Sequence, residues 1–190
     1  MFIYKNKYFL IIESIKDIDL KNIKKPNKFS IIYRNKKSLE NITDLLNFRR
    51  FCKIKSVKFY VANNTKLAVL LNSDGLYLSA FNKSFRSLLL KKSNFKIIGS
   101  AHNLKEISLK SKQGCEMILF SKLFLVSYDK KATFLGVIRF NNYLKIYKNL
   151  IPLGGISINN LNNLNNVNCQ GFALMSEVKK KPAKIFSRLL

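Results

Sequence analysis

Eight short apolar runs, separated by polar stretches, constrain the fold of this chain more than any other feature. They are YFLII (8–12), FSIIYR (29–34), VKFYVAN (57–63), GLYLSA (75–80), KIIGSA (96–101), CEMILFS (115–121), LIPLGG (150–155) and GFALMS (171–176). Continuous β-branched and aromatic runs of this length suit strands buried on both faces, as in a parallel sheet. The stretches between them read as helices. Residues 38–53 open with Ser38 as an N-cap and place Leu39, Ile42, Leu45 and Leu46 on one face. Residues 103–113 open with Asn103 and carry Glu106 three positions on, a start like a capping box. Residues 136–148 and 158–166 also read as helices, and a closing helix spans 182–189 with Pro182 near its first turn. Eight strand–helix units in 190 residues predict an α/β chain forming a single compact (β/α)8 barrel domain over 1–190. An open doubly wound sheet is the structural alternative.

Composition narrows the function classes. The apolar fraction of 47% supplies a core, so the chain lacks the low hydrophobicity of a disordered one despite its net charge of +25. That charge raises the question of nucleic acid or an anionic membrane as partner. The lysines are scattered rather than gathered in a block, lysine and asparagine are used heavily together, and no RNA-binding signature occurs. The charge therefore reads as lysine-rich drift, with no specific nucleic-acid partner and no membrane partner. Cys52, Cys115 and Cys169 lie far apart, and one histidine accompanies them, which excludes a Cys/His zinc site. A sparse, odd set of thiols suits a reducing cytoplasm. The N-terminal apolar run, Tyr8 to Ile12, is too short for a signal h-region or a membrane span and reads as a first strand.

Chemistry concentrates where runs end. IPLGGISINNL (151–161) sets Gly154 and Gly155 after an apolar run and before a helix, where a ligand can approach the backbone and find amides for an anion. One unit later a run ends at Ser176. In barrels, the loops after strands seven and eight are the usual phosphate cradle.

At these residues a resemblance becomes specific. IIGSAHNLKEISLKSKQGC (97–115) is similar to a family segment of the form G-x-S-x-H-x-x-x-E, a helix, then Gly-Ala-Asp. LIPLGGISINNLNNL resembles the family's A-L-G-G-I strand and following helix, and QGFALMS its G-x-A-V-I-S strand. SDGLYL (73–78) resembles A-D-G-V-H-L, and IYRNK (32–36) resembles Q-L-R-E-K. The similarity runs from about residue 29 to 178 and is strongest over 97–176. The family is thiamine phosphate synthase with its thiazole tautomerase relatives, all (β/α)8 barrels.

The resemblance implies a transferase of thiamine biosynthesis, which joins an aminopyrimidine methyl group, carried as its diphosphate, to thiazole phosphate and releases diphosphate. Arg34 and Lys36 match the pair that clamps the diphosphate, Ser100 matches the serine after strand five, and Lys130 or Lys131 corresponds to a lysine after strand six. There the family's Gly-Pro-x-Phe-Pro-Thr reads SKLFLV (121–126). Gly154, Gly155 and Ser176 match the rest of the thiazole phosphate, and His102 matches a histidine that moves protons in the tautomerases. Asn63 and Asn82 stand where the family holds magnesium with two aspartates, so Mg2+ is expected to bind weakly without diphosphate. Ile32 replaces a glutamine on the pyrimidine side and Tyr77 a histidine of the fourth strand. The alternative is a tautomerase-like or non-catalytic relative that binds thiazole phosphate. A third, that a basic barrel has been recruited to nucleic acid, makes a separate prediction. If the charge is drift, any DNA or RNA binding will be sequence-independent and abolished by moderate salt in a filter or anisotropy assay. Salt-resistant, sequence-selective binding would overturn the enzyme assignment.

Overall fold

The computed structural model describes residues 5–23, 26–35, 40–90, 94–127, 129 and 131–180. Eight parallel strands close a barrel in chain order. They are β1 (Lys7–Ile12), β2 (Phe29–Tyr33), β3 (Lys58–Ala62), β4 (Gly75–Leu78), β5 (Lys96–Ala101), β6 (Met117–Ser121), β7 (Leu150–Leu153) and β8 (Gly171–Leu174). Closure is made by β8 pairing with β1. The pairing of β7 with β8 is the thinnest, with Leu153 opposite Ala173. Helices α1 (Ile42–Ile54), α2 (Thr65–Leu70), α3 (Leu104–Lys112), α4 (Gly136–Ile146) and α5 (Ser176–Lys180) lie between or after the strands. The closed barrel bears out the eight-run reading and removes the open-sheet alternative. No helix among the described residues is long and apolar enough to cross a membrane.

Strand side chains alternate between two faces, and the barrel accordingly has two cores. One fills the lumen with Phe9, Ile11, Ile32, Tyr60, Tyr77, Ile98, Leu119, Ile151 and Ala173. The other packs the outward strand residues against the helices, with Leu45, Ile107, Phe140 and Leu164 among them. A strand buried on both faces has no polar alternation to show, which is why the runs are continuously apolar.

Several boundaries differ from the sequence reading. The first helix begins at Ile42, with Asn41 as N-cap accepting from Thr43 N; Ser38 and Leu39 lie outside the described residues. The Asn103 cap is present, accepting from Glu106 N at 2.9 Å. The Gly154–Gly155 pair and Ser176 lie beyond the ends of β7 and β8, the glycines because both adopt positive φ, +90° and +70°. Such backbone leaves the strand and favours glycine. The 182–189 helix falls outside the described residues.

The connection between β7 and β8 is helical, as the sequence reads, but of a particular kind. Ile158–Asn166 is a 3-10 helix, and Ile158, Leu161 and Leu164 are its buried residues. The sequence INNLNNLNNV repeats an apolar residue every third position through Val167. On an α-helix that stripe would rotate about 60° every three residues, whereas a 3-10 helix eclipses i and i+3. The 3.0-residue turn keeps all three side chains against the barrel. Leu161→Ala is therefore expected to cost about 2–5 kcal/mol in urea unfolding, while Asn162→Ala, on the exposed side, stays within about 0.5 kcal/mol. Comparable losses at both positions would argue for an α-helix.

Candidate active site at the barrel mouth

One step beyond the lumen core, alternation brings Arg34, Ser79, Ser100, Ser121 and Met175 to the inward side of the strand ends. The Arg34 backbone N–H extends the β2 ladder by donating to Ile12 O at 2.8 Å. Its side chain crosses the mouth, Nη2 lying 3.7 Å from Met175 Sδ, a weak acceptor. Arg34 Nε is buried with no hydrogen-bond partner. A buried guanidinium donor without an acceptor is costly unless a ligand supplies one. Below it, burial pushes the Tyr77 phenol up, and hydrogen bonds from Ser100 and Arg34 with the Arg34 charge pull it partly back. Tyr77 thus remains a neutral hydroxyl linking the lumen core to Ser100 and Arg34.

His102 is exposed at the end of β5. Its Nδ1 lies 2.7 Å from Ser121 Oγ, its backbone N–H donates to Glu106 Oε2 at 2.7 Å, and its ring tilts against Phe81 with centroids 6.5 Å apart. Ser121 therefore holds the ring, while Glu106 anchors the His102 backbone.

Asn63 and Asn82 meet directly. Asn63, at φ +58°, sits in the left-handed region that asparagine tolerates. Asn82 Nδ2 donates to Asn63 Oδ1 at 3.0 Å, and Ser79 N donates to the same oxygen at 3.0 Å. Asn63 Nδ2 donates to Ser79 Oγ at 3.1 Å, and Asn82 Oδ1 accepts from Ser84 N at 2.9 Å. The Asn82 loop is held from below by α3. Lys110 Nζ donates to Asn82 O at 2.7 Å and Gln113 Nε2 to Asn82 O and Ser84 O at 3.0 and 2.8 Å. Lys110 is fully buried, and desolvation holds its amine below the usual lysine range. Its stem passes Gly99, where a Cβ would come within 2.9 Å of Lys110 Cδ. A cavity of about 160 Å³ adjoins the pair, lined also by Arg86 and by Ser87, whose buried Oγ has no partner.

The residues present do not fit a magnesium ion. The two side chains are neutral, Asn63 Oδ1 already accepts two N–H donors, and Mg2+ favours carboxylate oxygens in octahedral array. Among the described residues no group of three acidic, histidine or cysteine side chains could hold a metal.

The strand-seven turn is more crowded than the sequence suggests. Phe124 N donates to Gly154 O at 3.1 Å, and a Cβ on Gly155 would collide with Phe124 O and Leu125 O. Gly155→Val would therefore displace the 122–125 backbone as well as any ligand. The amides of the following 3-10 helix are partly engaged: Ser157 N donates to Asn160 Oδ1 at 2.8 Å, and Ile158 N faces Glu177 Oε2 at 3.4 Å. Ser176 is exposed at the start of α5. Lys131 is exposed on the loop after β6, with its N–H on Asp129. Lys36 and Lys130 lie outside the described residues.

Sequence reasoning missed Ser121, Lys110, Gln113 and Glu177. Lys110 had a signal: it follows Ile107 by three, on the helix face that packs inward. Ser121 sits two residues after lumen-facing Leu119. Nothing local marks Glu177, whose contact comes from 19 residues away.

A family model described as thiamine monophosphate synthase matches residues 20–178. The thiamine-phosphate synthase of Clostridioides difficile is 24% identical over 77% of this chain and 71% of that protein. That of Prochlorococcus marinus strain AS9601 is 27% identical over 73% of this chain, which spans 40% of its length. A solved thiamine phosphate pyrophosphorylase from Pyrococcus furiosus superposes with TM-score 0.72 at 17% identity, covering 98% of both chains.

Glu177 sets a negative charge beside the Ile158 amide. Glu177→Gln is expected to tighten binding of inorganic phosphate roughly fivefold in calorimetric titration, from relief of about 1 kcal/mol of like-charge repulsion. Unchanged affinity would separate this carboxylate from the cradle.

Proposed function

Because the chain belongs to the thiamine monophosphate synthase family, we propose that it joins an aminopyrimidine methyl group to thiazole phosphate. The C–O bond to the diphosphate breaks, a C–N bond to the thiazole nitrogen forms, and diphosphate leaves with the electron pair. Carbocation character develops at the methylene as that bond lengthens. The protein's main task is then to stabilise the departing anion.

The observation that carries this reading is Arg34, a cation at the mouth whose buried Nε has no partner. Guanidinium geometry suits paired contacts to phosphate oxygens. Lys36 is proposed as its companion on the diphosphate, and Lys130 or Lys131 as a further charge above the mouth. Ser100 and the neutral Tyr77 hydroxyl border the same space and suit polar contacts to the substrate. The thiazole phosphate is assigned to Gly154, Gly155 and Ser176, on the amides left after Ser157 and Ile158 are engaged.

A second reading, a tautomerase-like or non-catalytic relative that binds thiazole phosphate, draws on the His102–Ser121 pair, which holds a ring suited to proton transfer. It gives Arg34 no diphosphate to hold. Incubation with both substrates, followed by assay for thiamine phosphate, separates the two. In the active protein Arg34→Ala is expected to lower kcat/KM for the diphosphate substrate by about one to three orders of magnitude. An unchanged rate would remove Arg34 from the site.

A further inference from the structure

We infer that Asn63 and Asn82 bind the diphosphate through their own amide N–H groups, with no metal ion between protein and phosphate. This rests on the reading of the mouth as a diphosphate site.

The orientation of both amides is fixed by backbone donors. Ser79 N donates to Asn63 Oδ1 and Ser84 N to Asn82 Oδ1, so each of these atoms is an oxygen. The group that Asn82 turns to Asn63 Oδ1 is then its nitrogen. Each amide nitrogen carries two N–H bonds, and each spends one within the cluster, on Asn63 Oδ1 and on Ser79 Oγ. One N–H remains on each side chain. Asn63 is exposed and Asn82 half-buried, so an incoming ligand can reach them.

The chemistry of the pair is inverted relative to two aspartates. Carboxylates only accept, so they face a phosphate only through a cation. Amide N–H groups donate and meet phosphate oxygens directly. Positive charge is also at hand. Arg86 lines the cavity that both asparagines border, and Arg34 follows β2, the neighbour of β3, whose end carries Asn63; Asn82 lies on the loop after β4, one strand further on. Lys110 and Gln113 serve as positioning residues. Their three hydrogen bonds to Asn82 O and Ser84 O hold the loop so that the Asn82 side chain meets Asn63.

The test is titration of inorganic pyrophosphate into the full chain, in EDTA and in magnesium. The unaltered protein is expected to bind at least as tightly in EDTA as in magnesium. The Asn63→Asp/Asn82→Asp protein is expected to lose tenfold or more in affinity in EDTA and to regain it with magnesium. Lys110→Met, which keeps the buried stem and removes the donor, is expected to weaken pyrophosphate binding in EDTA while leaving phosphate binding at the glycine turn unchanged. Binding by the unaltered protein that is tenfold tighter with magnesium overturns the inference and leaves the transferase reading standing. So does a folded double-aspartate protein that binds pyrophosphate in EDTA as the unaltered one does. No pyrophosphate binding under either condition overturns the diphosphate-site reading itself, and this inference with it.

Discussion

Filling the lumen is the constraint on which the rest of the structure depends. A closed ring of eight parallel strands leaves no free edge, but it encloses a volume that inward side chains must occupy. Here Phe9, Tyr60 and Tyr77 do so with a ring of aliphatic residues. Because the interior is full, ligand chemistry is confined to the strand ends. Among the first inward positions above the fill, Arg34, Ser79, Ser100 and Ser121 are polar, with Met175 apolar beside them. Tyr77 belongs to both levels. Its ring is packed among the aliphatic residues, and its hydroxyl reaches Ser100 and Arg34. Loss of that ring would open the lumen and loosen the guanidinium together.

Much of the fold was legible because strands buried on both faces leave an unbroken apolar trace. All eight runs became strands, in order, and the Asn103 cap formed where the sequence placed it. What failed has specific causes. Apolar character continues past the point where backbone pairing stops, so the run through Gly154 and Gly155 was read as strand although both glycines turn away at positive φ. The Ile158–Asn166 segment is a helix, as the sequence reads, but only its period of three distinguishes the 3-10 turn that keeps the stripe in line from an α-helix. The short α2, six residues long, left too little periodicity to detect.

The candidate site was legible in a different sense. Topology brings strand ends to the mouth, and the family resemblance picked Arg34, Ser100, His102, Asn63 and Asn82 among the residues there. Their partners could not be anticipated. Glu177 approaches Ile158 across two loops, and the Ser121 hydroxyl reaches His102 from a neighbouring strand. Lys110 touches the Asn82 carbonyl from 28 residues away. Contacts of this kind depend on loop backbone and rotamers, which carry no periodic signal. The glycine turn teaches the same lesson. Gly155 was singled out for the approach of a ligand, yet the backbone at Phe124 and Leu125 already uses the space its missing side chain leaves.

Charge at the mouth ties these observations together. Two carboxylates holding one divalent cation sum to zero, and two amides without a cation also sum to zero. Exchanging the aspartates that the family resemblance places here for Asn63 and Asn82 therefore leaves the formal charge beside a departing anion unaltered, provided the ion leaves with them. What changes is how the neutral unit is held. An ion–carboxylate cluster is organised by the ion, whereas an amide pair must be organised by the protein. The structure supplies that organisation in an expensive form: a fully buried lysine, disfavoured by desolvation, spent on a main-chain carbonyl. Gln113 donates to the same carbonyl and Gly99 leaves room for the lysine stem; on the inference that the amide pair meets the diphosphate directly, this support takes over the positioning that a metal ion would otherwise perform.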